Sequence, residues 1–126
     1  MKRFTAAVVI AVALGACSHP SVVGSSISKL NDSTRFTTSS RAAQTVADIS
    51  TQLRLAGASC RKSHKDSPKC TVLLQAAAYS AVTAYTMADC TSPGVFDGRK
   101  AMLTYLQSIK KYANGPTPSI PKVTTC

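Results

Sequence analysis

The sequence has no tryptophan and no glutamate, and its aromatics are four tyrosines and three phenylalanines. A glycosidase needs two carboxylates about 5–9 Å apart, usually backed by aromatic sugar platforms, and this composition serves that chemistry poorly. Five acidic residues, all of them Asp, oppose fifteen Lys plus Arg for a formal net charge of +10, which excludes an acidic chaperone or a Ca²⁺ buffer. A chain of 126 residues holds one small domain with a thin core, so a multidomain enzyme is excluded too. There is no glycine-rich phosphate loop and no internal repeat. No apolar run is long enough to be a normal membrane span: the longest, residues 4–14, would rise about 17 Å as a helix against a hydrocarbon core of about 30 Å.

That short run is informative for another reason. Lys2 and Arg3 precede it and Leu14-Gly15-Ala16-Cys17 follows it, the charged, apolar and small-residue order of an export signal. The tetrapeptide resembles the lipobox of bacterial lipoproteins, in which a small residue stands before an invariant Cys. The resemblance implies that residues 1–16 are a signal peptide removed after Ala16, that Cys17 receives diacylglycerol on its sulfur, and that the new amino terminus is acylated by a chain such as palmitate. Two or three acyl chains hold a protein stably on a membrane, because each buried CH₂ contributes about 0.8 kcal/mol. The expected location is therefore the cell envelope. In a Gram-negative host Ser18, which is not the Asp that commonly retains lipoproteins at the inner membrane, favours the periplasmic face of the outer membrane.

With Cys17 lipidated, Cys60, Cys70, Cys90 and Cys126 remain. Four cysteines allow three connectivities, and a small exported domain is expected to pair them. The favoured pairing is Cys60 with Cys70, closing a short loop between two helices, and Cys90 with Cys126, pinning a Pro-rich tail. A structural zinc site is disfavoured by the long spacings and by having only His19 and His64 as histidine partners. The reading therefore assigns no metal and no cofactor.

Along the rest of the chain, residues 17–40 are rich in Ser and Thr and read as a lipidated terminus and flexible tether, with a typical reach of about 25–30 Å. Residues 41–126 read as an all-α, disulfide-stabilised domain of three helices, or four. The first helix starts after Ser39 or Ser40 and stops before Gly57, with Ala42, Val46, Ile49, Leu53 and Ala56 as its apolar stripe. The second begins with Ser67 as N-cap and Pro68 at the first helical position and runs to about Asp89, with Cys70, Leu74, Ala77, Ala81, Ala84 and Ala88 as its stripe. After a turn at Ser92-Pro93-Gly94, Asp97 caps a third helix that runs to about Ala113 and turns Met102, Leu103, Leu106, Ile109 and Ala113 inward. The proline-rich remainder runs extended over the surface to Cys126.

The sharpest surface feature lies between two of the cysteines. Arg61, Lys62, His64, Lys65 and Lys69, with Asp66 as the only acid, form a candidate basic binding loop for an acidic protein face, anionic headgroups or a phosphate-rich polymer. A solvated loop on a generally basic protein is the plain alternative. A triad of His64, Asp66 and Ser63 or Ser67 is disfavoured, because neighbours on one short loop do not reach nucleophile–base–orienter geometry. No catalytic residue is assigned. Nucleic acid is not an expected partner, given export and the scarcity of aromatics.

Residues 53–112 also carry Cys60, then Cys70 opening an Ala- and Tyr-bearing helix, then Cys90 with Pro93-Gly94-Val95, then Tyr105-Leu106. This stretch resembles the small helical immunity proteins that neutralise peptidoglycan amidase effectors of type VI secretion systems. The resemblance implies a disulfide-bonded helical domain that occludes an enzyme's cleft, and it transfers no particular contact residue. The expectation is a non-enzymatic envelope lipoprotein that binds a protein partner, an immunity or inhibitor protein against an envelope-directed hydrolase being its most concrete form. A structural lipoprotein binding anionic cell-surface polymer, and a phage or conjugation exclusion lipoprotein, are the alternatives.

Overall fold

The computed structural model describes residues 19–123 and 125–126, so the expected signal peptide and Cys17 lie outside the described residues. The described chain is all-helical: α1 (His19–Asn31), a 3-10 turn (Ser33–Phe36), α2 (Ser39–Ser63), α3 (Pro68–Ala88) and α4 (Ser92–Lys111). Cys60 pairs with Cys70 and Cys90 with Cys126, each with Cα atoms 5.3 Å apart, which is the favoured pairing of the sequence reading.

The helices α2 and α3 form an antiparallel hairpin that is the spine of the domain. Thr38 caps α2 by accepting the Arg41 N–H, and Ala42, Val46, Ile49, Leu53 and Ala56 are buried along one stripe, as their spacing predicts. The helix does not stop at Gly57, however. It continues through Cys60 to Ser63, because Gly57 is a point of close approach and not a terminator: a Cβ there would come within 2.7 Å of Leu74 Cγ and Cδ2. Ser50 Oγ donates to the Ala77 carbonyl at 2.7 Å and adds a polar tie between the two helices.

Ser67 and Pro68 start α3 as the sequence predicts. Its buried face is rotated from the expected stripe. Cys70, Ala77 and Ala84 are inside, as are Leu73 and Ala76, which the sequence reading adds to the apolar surface together with Val82; but Val72, Tyr79, Ser80, Thr83 and Met87 are buried too, while Ala81, Val82 and Ala88 are exposed. Ser80 and Thr83 tolerate burial because their hydroxyls donate to the Ala76 and Tyr79 carbonyls one turn back, at 2.7 and 2.8 Å.

Two further elements depart from expectation. Residues 19–36 are not a tether: Val23, Leu30 and Phe36 are fully buried, and each such side chain contributes about 1.5–3 kcal/mol. Ser26 is buried beside them with its hydroxyl bonded to the Val22 carbonyl at 3.0 Å, so a serine-rich segment still presents one apolar stripe. Arg99 fixes the far end of this segment, since its Nε donates to the Leu30 carbonyl and its guanidinium lies 4.7 Å from the Phe36 ring centre. A cation on the last carbonyls of a helix satisfies an orphan acceptor and complements the helix dipole.

The fourth helix starts five residues earlier than Asp97, with Pro93 in its first turn, so Ser92-Pro93-Gly94 is helix and not a turn. It ends at Lys111, leaving Ala113 outside and exposed, and it buries Val95, Met102, Tyr105, Leu106 and Ile109, with Leu103 half-buried. Residues 112–123 then follow without regular structure.

Candidate functional site: a basic tip and a small-residue groove

The hairpin connection is short and closed from below. Cys60 and Cys70 are buried, and their disulfide ties the last turn of α2 to the first turn of α3. Above it the His64 N–H donates to the Cys60 carbonyl at 2.7 Å and the Ser67 N–H donates to the His64 carbonyl at 2.8 Å. Residues 61–66 and Lys69 are exposed. The fold therefore brings Arg61, Lys62, His64, Lys65 and Lys69 together on one projecting tip with Asp66.

None of these Arg and Lys side chains is neutralised within the domain: among the described residues the only ion pair is Arg35 with Asp32, on the 3-10 turn. There Asp32 accepts from the Thr34 hydroxyl and backbone N–H and from Arg35, and these bonds hold its carboxyl below its ordinary pKa. The hydroxyls beside His64 are committed to the backbone. Ser63 Oγ donates to the Ser59 carbonyl at 3.5 Å, and Ser67 Oγ caps α3 by accepting the Lys69 N–H at 3.3 Å. What the tip offers is an exposed cluster of ammonium and guanidinium donors, suited to phosphate or carboxylate groups.

A groove runs between α2 and α3 toward the other end of the hairpin, with a volume of about 610 Å³. Its floor is Ala43, Ala47, Ala81 and Ala84, and its wall is Tyr85, whose side chain is 80% exposed. Val82 stands beside it, half-exposed. A smooth alanine surface flanked by a projecting aromatic is the kind of surface on which protein partners find their anchors. The sequence signals both Tyr85 and the alanines, but not that they share an exposed groove, because Ala is compatible with either face of a helix.

A second groove, about 720 Å³, lies between α4 and the tail, lined by Lys100, Thr104, Tyr105, Pro118 and Pro121 among others. Tyr105 packs edge-on against Tyr79 with ring centres 5.2 Å apart, and its hydroxyl is buried without a hydrogen-bond partner. Burial raises the pKa of both tyrosines above the ordinary 10.0. Nothing in the spacing of positions 79 and 105 announces this pairing. Among the described residues no three His, Cys, Asp or Glu side chains gather as metal ligands, and no helix is long and apolar enough to cross a membrane.

The described domain is thus a small, disulfide-bonded four-helix protein with a basic tip at one end and an alanine groove toward the other. No protein-family model matches the chain, and neither does any curated protein sequence or solved structure.

Proposed function

We propose that the chain is a bacterial cell-envelope lipoprotein, anchored through lipid on Cys17, whose helical domain binds another envelope protein without catalysing a reaction. An immunity or inhibitor protein against an envelope-directed hydrolase is its most concrete form. The observation that carries the binding role is the α2–α3 groove, where Tyr85 is 80% exposed beside a floor of alanines. An exposed aromatic is not needed for a core, and aromatic side chains are enriched among the residues that dominate protein interfaces. The two disulfides support an oxidising compartment, where such bonds form and persist.

The test is capture of the native lipidated protein from its own cells with identification of what co-elutes. Tyr85→Ala and Ala81→Arg serve as groove variants, and Cys17→Ala is the control for location. A stoichiometric envelope hydrolase or toxin, lost with both groove variants, is the expected result. Co-elution of anionic polymer fragments alone, unchanged by the groove variants, overturns the reading in favour of a structural lipoprotein.

A further inference from the structure

We infer that the basic hairpin tip lies in the anionic headgroup layer of the same membrane that holds the lipid on Cys17, so that the domain stands on the bilayer with its alanine groove facing away. The inference rests on the lipoprotein reading of Cys17. It begins with helix direction. The end of α1 leads through the 3-10 turn directly into the start of α2, and Arg99, in the first half of α4, holds the Leu30 carbonyl. Hence α1 runs back along α2 and α4, and its first residue, His19, points to the end where α2 and α4 finish. That is the end of the basic tip.

Lengths then decide the contact. At about 1.5 Å per residue, α1 spans roughly 20 Å and α2 roughly 37 Å from the same starting level. The tip therefore overreaches the start of α1 by about 17 Å, whereas the two residues from His19 back to Cys17 stretch at most about 7 Å. A headgroup layer is about 5–8 Å thick on each side of the hydrocarbon core. If Cys17 carries acyl chains seated in the bilayer, the tip reaches at least about 10 Å farther toward the membrane than Cys17, more than that layer is thick, so the domain leans until the tip rests among the headgroups.

Charge is sorted along the same axis. Arg61, Lys62, Lys65, Lys69, Lys110 and Lys111 gather at the anchor end with Asp66 as their only acid, while Asp32, Asp48, Asp89 and Asp97 lie on the half away from it, where they nearly balance the cations of that half, so the net positive charge is concentrated at the anchor end. Helix electrostatics account for part of this, because Arg61, Lys62, Lys110 and Lys111 stand in last turns, where cations are favoured. They do not account for Lys69, which sits in the first turn of α3, where the helix dipole opposes a cation. An anionic bilayer surface explains that residue as well as the others.

The experiment uses the lipidated protein purified from its own envelope and reconstituted into vesicles of phosphatidylcholine alone or mixed with phosphatidylglycerol. Lysine acylation is then mapped by mass spectrometry. Lys62, Lys65 and Lys69 are expected to react about fivefold more slowly on the phosphatidylglycerol vesicles, the occupancy ratio of a cation near an anionic leaflet. Lys100 should be unchanged, and added salt should restore the tip. Equal reactivity of the tip lysines on both vesicle types overturns the inference. So does stronger protection of the tip by soluble polyphosphate than by the vesicles, which would assign it to a polymer. A protein that fails to float with either vesicle and carries no lipid on Cys17 instead overturns the lipoprotein reading beneath it.

Discussion

Gly57 offers the sharpest test of how the hairpin is packed. In an exposed helix interior Gly→Ala stabilises by about 1 kcal/mol. Gly57 is buried, and a Cβ there would lie 2.7 Å from both Leu74 Cγ and Cδ2 and 3.3 Å from the Leu74 backbone N. Ordinary carbon contacts are about 3.5–4.0 Å. Swinging the Leu74 methyls aside does not relieve the contact at Cγ or at the backbone, so α2 and α3 have to separate. Overpacking of this kind costs about 1–3 kcal/mol. Because backbone is involved, the upper part of that range applies, and Gly57→Ala is expected to destabilise by about 1–2 kcal/mol net. For a domain of this size that lowers Tm by about 5–15 °C. The assay is thermal and urea unfolding of four proteins: wild type, Gly57→Ala, Leu74→Ala and the double variant. In the Leu74→Ala background the side-chain overlap is gone and only the 3.3 Å approach to the backbone N at position 74 remains, so Gly57→Ala should lose most of its penalty and become close to neutral. A Gly57→Ala protein more stable than wild type, or additive behaviour of the two substitutions, would refute the close approach.

Gly24→Ala provides the contrast, since nothing lies within 4 Å of a Cβ there, and it should raise stability by about 0.5–1 kcal/mol in the same melts. Replacing Cys60 and Cys70 together by Ser should cost about 3 kcal/mol, the loop entropy of a bridge spanning 10 residues, and urea unfolding reports it as a lower midpoint with a slope equal to or slightly above that of the wild type. Tyr105→Phe removes a buried hydroxyl that has no partner and should be neutral or stabilising by up to about 1 kcal/mol; a clear loss would mean that the hydroxyl is satisfied in solution. Both Tyr79 and Tyr105 hold their protons more tightly folded than unfolded, so stability should be flat up to about pH 10 and fall above it as the unfolded chain ionises first. Tyr105→Phe should flatten that alkaline fall, which unfolding curves between neutral pH and pH 11 would show.

Much of the hairpin was legible because its residues speak for one conformation at a time. Ser67-Pro68 is a helix start in sequence and in space, the stripe from Ala42 to Ala56 faces inward as spaced, and the cysteines pair so that one bridge closes the short interhelical loop and the other pins the proline-rich tail. The illegible parts share a physical cause. Ser26, Ser80 and Thr83 look solvent-facing, yet each returns its hydroxyl to a carbonyl of the preceding turn and is buried at no loss of hydrogen bonding. This conceals α1 within a segment that reads as a tether and rotates the apparent face of α3. Gly57 carries the same chemistry whether it ends a helix or admits a neighbour, and only the position of Leu74 decides between them. The basic loop of Arg61, Lys62, His64, Lys65 and Lys69 was visible as composition. Its place at the end toward which the start of α1 points, opposite most of the aspartates, was not, because that depends on the direction of a helix which the sequence conceals.

Membrane anchoring depends on Cys17, and the mass of the mature protein isolated from cell membranes tests it most directly. The predicted species begins at Cys17, carries diacylglycerol on that sulfur and an acyl chain on its amino group, and has its other four cysteines oxidised. Its Cys17→Ala counterpart should leave the membrane fraction. A chain that retains residues 1–16, or one that begins elsewhere and keeps an unmodified Cys17 thiol, would contradict the account.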